Sequence, residues 1–180
     1  MKKSLLSALF FLGFSVLATS SFAGHHGNKS AVVPEMKQEA VLTGLESPWD
    51  TDFLANGTMF FTEKCKGFSV RLPSGKVHAL YGMTGSSGFA DAGEDLWCTN
   101  QAGMLGIAVD PNFEKNRRIY VASASTKYHG AGCKTNFERC DGNIVMRFEV
   151  SKDFKSVSKR TDIVKDIQFK PFESNHPFGG

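Results

Sequence analysis

Between Trp49 and Tyr81 the chain makes four short apolar runs separated by turn signals only a few residues long. Trp49 to Leu54 is followed by Asn56-Gly57, a dipeptide suited to tight hairpins because it tolerates the positive φ such turns require. Thr58 to Glu63, Phe68 to Leu72 and Val77 to Tyr81 come next, with Lys66-Gly67 and Ser74-Gly75 between them. Turns this short leave no room for a crossover helix, so each run must lie antiparallel beside the one before it. The expected product is a four-stranded meander.

The pattern then repeats. Met104 to Val109, Arg118 to Ser123, Asn143 to Val150 and Thr161 to Val164 read as four more strands. A polar, glycine-rich loop from Gly82 to Asn100 separates the two groups, and an insertion from Thr126 to Gly142 interrupts the second. Gln38 to Leu42 reads as a further short strand ahead of both. Helical periodicity is nearly absent. Two successive four-stranded units favour an all-β propeller, built from such blades, over a sandwich. Each blade has faces that only neighbouring blades cover. The expectation is therefore that residues 37–180 form the N-terminal part of a propeller domain within a longer protein. Blade 1 spans about 49–81, blade 2 about 104–164, and a third begins at about 175–180.

Residues 1–23 read as a secretory signal peptide. Met1-Lys2-Lys3 is basic, Leu5 to Leu17 is an apolar core, and Ser21-Phe22-Ala23 sets small residues at the cleavage positions. The apolar run is short of the ~20 residues a bilayer span needs, and no later segment could span one. The reading implies a periplasmic or secreted protein with a flexible leader at 24–36. Loss of Lys2 and Lys3 lowers the formal charge from +3 to +1. A near-neutral chain without a basic block offers nothing to nucleic acid or an anionic membrane. Cleavage after Ala23 would expose Gly24-His25-His26. Its amine, two amides and an imidazole are a square-planar nitrogen set suited to Cu(II) or Ni(II), although termini are usually mobile.

Four cysteines in an exported chain suggest disulfides, with three possible pairings. Spacing favours Cys133 with Cys140, and Cys65 with Cys98 follows by elimination. Other polar residues read as structural. Asp110, followed by Pro111-Asn112, is a turn former rather than a catalytic carboxylate. Trp49 is expected to pack between blades. His78 and His129 lack metal-spaced partners. Asp91, Glu94 and Asp95 lack calcium-loop spacing and read as solvated loop acids.

Several stretches together resemble the glucose/sorbosone dehydrogenase family. They are Gly44-Leu45-Glu46-Ser47-Pro48-Trp49-Asp50, Phe61-Thr62-Glu63-Lys64, Arg118-Ile119-Tyr120-Val121, and His176 ahead of Gly179-Gly180. The most specific block is Gln101-Ala102-Gly103-Met104-Leu105-Gly106-Ile107-Ala108-Val109-Asp110-Pro111-Asn112-Phe113. The resemblance implies a six-bladed propeller carrying pyrroloquinoline quinone (PQQ) over one end of its channel, with Ca2+ polarising the quinone. It implies oxidation of an aldose at C1 to the lactone, with electrons leaving to an external quinone or cytochrome. His176 matches the family's general base, although Asn175 precedes it where some relatives carry an acid. Gln101 matches the glutamine that opens the second blade near the quinone. The groups that hold the PQQ carboxylates and calcium are expected in later blades.

These roles make chemical sense. A neutral imidazole accepts a hydroxyl proton near pH 7. A glutamine offers one acceptor and two donors for orienting a ligand oxygen. The rival readings are a propeller that binds a ligand or protein without turnover, and an inactive truncated fragment with exposed strand edges.

Overall fold

The computed structural model describes residues 34–99, 101–128 and 142–168. Residues 34–39 belong to an N-terminal unit, Met1–Glu39, and the sheets to a second, Ala40–Gly180. Residues 34–42 form no strand, so the expected strand at Gln38 to Leu42 is corrected.

The first sheet orders its strands as the chain does. β1 (Pro48–Phe53), β2 (Met59–Glu63), β3 (Gly67–Arg71) and β4 (Val77–Met83) form an antiparallel meander. The β1–β2 turn is closed by the Leu54 N–H donating to Thr58 O and the Gly57 N–H donating to Leu54 O, both at 2.9 Å. Gly57 sits at φ +85°, where a side chain would be strained. The loop expected after β4 is not wholly irregular. Its Ala92–Gly93 pair, β5, adds in parallel to Gly82 and Met83.

The second sheet is another meander: β6 (Met104–Val109), β7 (Arg118–Ser125), β8 (Gly142–Val150) and β9 (Val157–Gln168). A one-turn helix, α1 (Phe113–Asn116), lies between β6 and β7. β9 is longer than the expected Thr161 to Val164 run. Its pairing with β8 carries several register shifts, which break the period-two alternation that marks a strand in sequence.

One hydrophobic core joins the sheets. Phe60, Phe68 and Val70 from the first meet Ile119, Val121, Met146 and Phe148 from the second. Phe148 packs at 5.2 Å from Phe68 and 4.7 Å from Tyr81, ring centre to ring centre. At the far end Arg117 lies between the rings of Phe113 and Phe154, 4.4 and 4.2 Å from their centres. Trp49, expected to pack between blades, is 44% exposed on β1, where neither of these two sheets buries it.

The strand directions define one shared rim. β1 and β6 start there, β7 and β9 end there, and the β2–β3 turn and the loop before β6 lie on it.

Candidate functional site

Gln101 lies on this rim, exposed, at the close of the long loop before β6. Its turn is built tightly. Thr99 and Ala102 exchange backbone hydrogen bonds, at 3.2 Å from the Thr99 N–H and 2.7 Å from the Ala102 N–H. Gly103 follows, and only a glycine fits: a Cβ there would stand 2.4 Å from the carbonyl oxygen of Lys64 in the β2–β3 turn. The same carbonyl accepts the Met104 N–H at 2.8 Å. The Gly103 carbonyl in turn accepts the Ala124 N–H at 2.9 Å from the end of β7. The loop therefore enters β6 wedged between the rim of the first sheet and the rim of the second.

A disulfide secures the other side of the turn. Cys98 is bridged to Cys65 of the β2–β3 turn, with their Cα atoms 5.3 Å apart. This is the pairing expected by elimination. Cys133 and Cys140 lie outside the described residues, as do His129, His176 and the start of the third blade.

Further back, the loop is clasped to β9. The Arg160 guanidinium donates to both oxygens of Asp95, at 2.7 and 2.6 Å, to Asp162 Oδ1 at 2.9 Å and to the Tyr81 hydroxyl at 3.1 Å. Asp162 also accepts from the Lys127 ammonium at 3.0 Å and the Tyr128 hydroxyl at 2.8 Å. Ser125 donates to Asp95 at 2.8 Å. Burial by itself would raise the Asp95 carboxyl, but the hydrogen bonds from Arg160 and Ser125 prevail and hold it below the usual carboxylate range. For Asp162, burial is likewise outweighed by Lys127, Tyr128 and Arg160, and its carboxyl is also held low. Burial works to lower Arg160, yet its bonds to Asp95, Tyr81 and Asp162 leave it above its ordinary value.

This clasp was not expected. Asp95 is a partner of β9 and not a solvated loop acid. No sequence signal pointed to the pair, because 65 residues separate Asp95 from Arg160. Asp110 behaves as expected: its Oδ1 accepts the Asn112 N–H at 2.8 Å in the turn after β6, and its other oxygen takes the Tyr120 hydroxyl at 2.7 Å. His78 is half-buried on β4.

An open cavity of about 370 Å³ lies beside the clasp, lined by Lys127, Tyr128, Arg160, Thr161, Asp162 and Lys165. Among the described residues no three His, Cys, Asp or Glu side chains converge to hold a metal ion. The described residues thus do not fit a calcium site. Of the two residues expected to act at a cofactor or substrate, Gln101 is the one among the described residues, and it is exposed on the rim. Among the described residues no helix is long and apolar enough to cross a membrane.

Comparison with known proteins gives a consistent result. The family model for glucose / sorbosone dehydrogenase matches residues 45–180. An uncharacterized protein of Synechocystis is 33% identical over 89 residues, covering 48% of this chain and 21% of the relative. A crystal structure of a glucose dehydrogenase superposes with TM-score 0.52 at 22% identity, over 71% of this chain and 32% of that one. The PQQ-bound form of the aldose sugar dehydrogenase of Streptomyces coelicolor gives TM-score 0.51 at 17% identity, also over 71% and 32%. The chain thus spans about a fifth of the Synechocystis relative and about a third of these structures. The structural likeness gives the fold: the two sheets are successive blades of a β-propeller.

Proposed function

The chain belongs to the glucose/sorbosone dehydrogenase family, and from that premise we propose that the full-length protein is a periplasmic or secreted quinoprotein that oxidises an aldose at C1 to its lactone. The observation that carries this reading is the rim turn of Gln101, anchored beside it through Cys98 and wedged at Gly103. Such anchoring favours a group that must hold an orientation, because a misplacement of about 1 Å can cost ~100-fold in rate.

PQQ, when bound, would supply the hydride acceptor. The remaining chemistry falls to the chain. His176 takes the proton of the C1 hydroxyl as the hydride leaves, so that no alkoxide has to form beforehand. A neutral imidazole is required for this, because only the neutral ring has an unprotonated nitrogen that can accept a proton. Gln101 donates from its amide to a ligand oxygen and holds that face in register. β9 ends at the same rim, and His176 follows Gln168 by eight residues. A stretch of that length can span up to about 29 Å, so the distance along the chain is compatible with His176 acting at the rim that carries Gln101. No step is assigned to Ca2+. The external electron acceptor, a quinone or a cytochrome, completes the cycle.

The test uses the full-length protein reconstituted with PQQ and calcium. Adding an aldose should bleach the quinone absorbance. His176→Ala should abolish the bleaching, by at least about 100-fold in rate, and still bind PQQ. Wild-type protein that binds no PQQ would end this reading.

A further inference from the structure

We infer that the Cys65–Cys98 disulfide is a positioning element for Gln101, beyond any role as a staple of the fold. The inference rests on the role proposed for Gln101 above. Three ties fix the segment that carries this side chain, and they differ in kind. The clasp at Asp95 lies six residues before Gln101 and joins the loop to Arg160 of β9. The entry to β6 lies just after it, where Gly103 packs against Lys64 and Met104 N–H meets the Lys64 carbonyl. Between them, the exchange of bonds between Thr99 and Ala102 is internal to the turn, so it travels with the turn and does not anchor it.

That leaves the bridge. Among the described residues it is the covalent tie between this turn and another element, and Cys98 stands three residues from Gln101. Its partner Cys65 adjoins Lys64, the residue whose carbonyl receives β6. The disulfide and the Lys64 contacts therefore refer both flanks of the Gln101 turn to the same short β2–β3 turn. Two attachments to one rigid reference fix a direction as well as a location. Loss of the bridge would leave the turn hinged at Gly103, with its other flank held further back by non-covalent ties, through Leu96, which is buried and pairs with Ser125, and through Asp95, whose carbonyl accepts the Thr126 N–H at 2.8 Å and whose carboxylate meets Arg160.

A staple and a positioning element predict different things. A staple lowers stability and leaves ligand binding unchanged wherever the protein stays folded. A positioning element weakens what Gln101 does, and that loss should vanish once Gln101 is gone. The experiment is a double-mutant cycle in the full-length protein, using Cys65→Ala/Cys98→Ala, Gln101→Ala and the three changes combined. PQQ affinity is measured by quinone absorbance titration, and kcat/KM for an aldose beside it. All are read well below the lowest thermal midpoint of the set, with folding checked by circular dichroism.

Gln101→Ala and the cysteine pair variant should each raise the PQQ dissociation constant or lower kcat/KM by about tenfold, below the ~100-fold that a 1 Å misplacement can cost. The combined variant should be no worse than Gln101→Ala alone. Losses that multiply in the combined variant would overturn the inference, as would a folded cysteine pair variant with unchanged PQQ affinity and kcat/KM. A silent Gln101→Ala would remove the role assigned to Gln101, and the inference with it.

Discussion

At the scale of single residues, the Asp95–Arg160–Asp162 clasp is where charge and position are most closely linked. The Asp95 and Arg160 side chains are each 19% exposed, and Asp162 is 4% exposed. Ions this sheltered are costly to leave without partners. Arg160→Ala should therefore destabilise the protein by about 3 kcal/mol, because it leaves the sheltered Asp95 with the Ser125 hydroxyl but no cation and takes one of three donors from Asp162; chemical denaturation measures this directly. The same carboxyls predict an acid limb. Both are depressed in the folded chain, so their stabilisation is complete above the unfolded aspartate value of about 3.9 and is lost as pH falls through the lower folded values. The thermal midpoint should drop as pH is lowered from about 5 toward 2, and Asp95→Asn should flatten that fall while lowering stability at neutral pH. An equally steep acid limb in Asp95→Asn would show that other groups cause it. None of this was legible beforehand. Asp95 sits among Asp91 and Glu94 in a polar loop, and nothing local separates the acid that meets an arginine from its exposed neighbours. Asp110 was legible because its partner, the Asn112 N–H, is two residues away.

At the scale of elements, the strands were readable where turns were short and alternation was clean. Asn56-Gly57 fixed the β1–β2 hairpin, and β6 falls on Met104–Val109, the run read from apolar character alone. β5 and the ends of β9 were not readable, since one is two residues long and the other is interrupted by register shifts. What the strand pattern hid was the way β6 is held at its free edge. Among the described residues β6 pairs along one edge, with β7. On the other edge the Ile107 N–H donates to Asp50 Oδ2 at 2.9 Å and the Val109 N–H to Asp52 Oδ2 at 2.7 Å. Residues two apart on a strand share a face, so the carboxylates of β1 match the alternate N–H groups of β6 one for one. They take the place of a further strand. Asp50→Ala or Asp52→Ala should each cost about 1–3 kcal/mol by leaving an N–H without its acceptor. The Asn variants keep a carbonyl oxygen and should cost less. Amide hydrogen exchange at Ile107 and Val109 gives the local readout, and unchanged protection in the Ala variants would argue against the carboxylates as the anchors of that edge.

At the scale of the whole molecule, the four-by-four strand count disclosed the propeller, while the fate of its outer faces lay beyond any local pattern. Trp49 illustrates why. A large aromatic on an inner strand reads as core, because sequence reports that a side chain is apolar and not which surface will cover it. Here the two sheets bury Phe60, Phe68, Phe148 and their neighbours against each other, while Trp49 and Phe53 of β1 remain 44% and 57% exposed. On the outermost strand of the second sheet, Ile163 and Val164 remain 44% and 43% exposed. Apolar side chains beside unpaired strand edges promote association between copies. Residues 24–180 produced as a separate polypeptide should therefore self-associate with rising concentration and bind an apolar dye. Trp49→Lys with Phe53→Lys should reduce both effects, since charge on an edge strand opposes pairing. Light scattering across a concentration series decides the matter. A wild-type segment that stays monomeric and dye-silent would mean that these faces are already covered within one chain. Association that persists unchanged in the lysine variant would place the adhesive surface on β9.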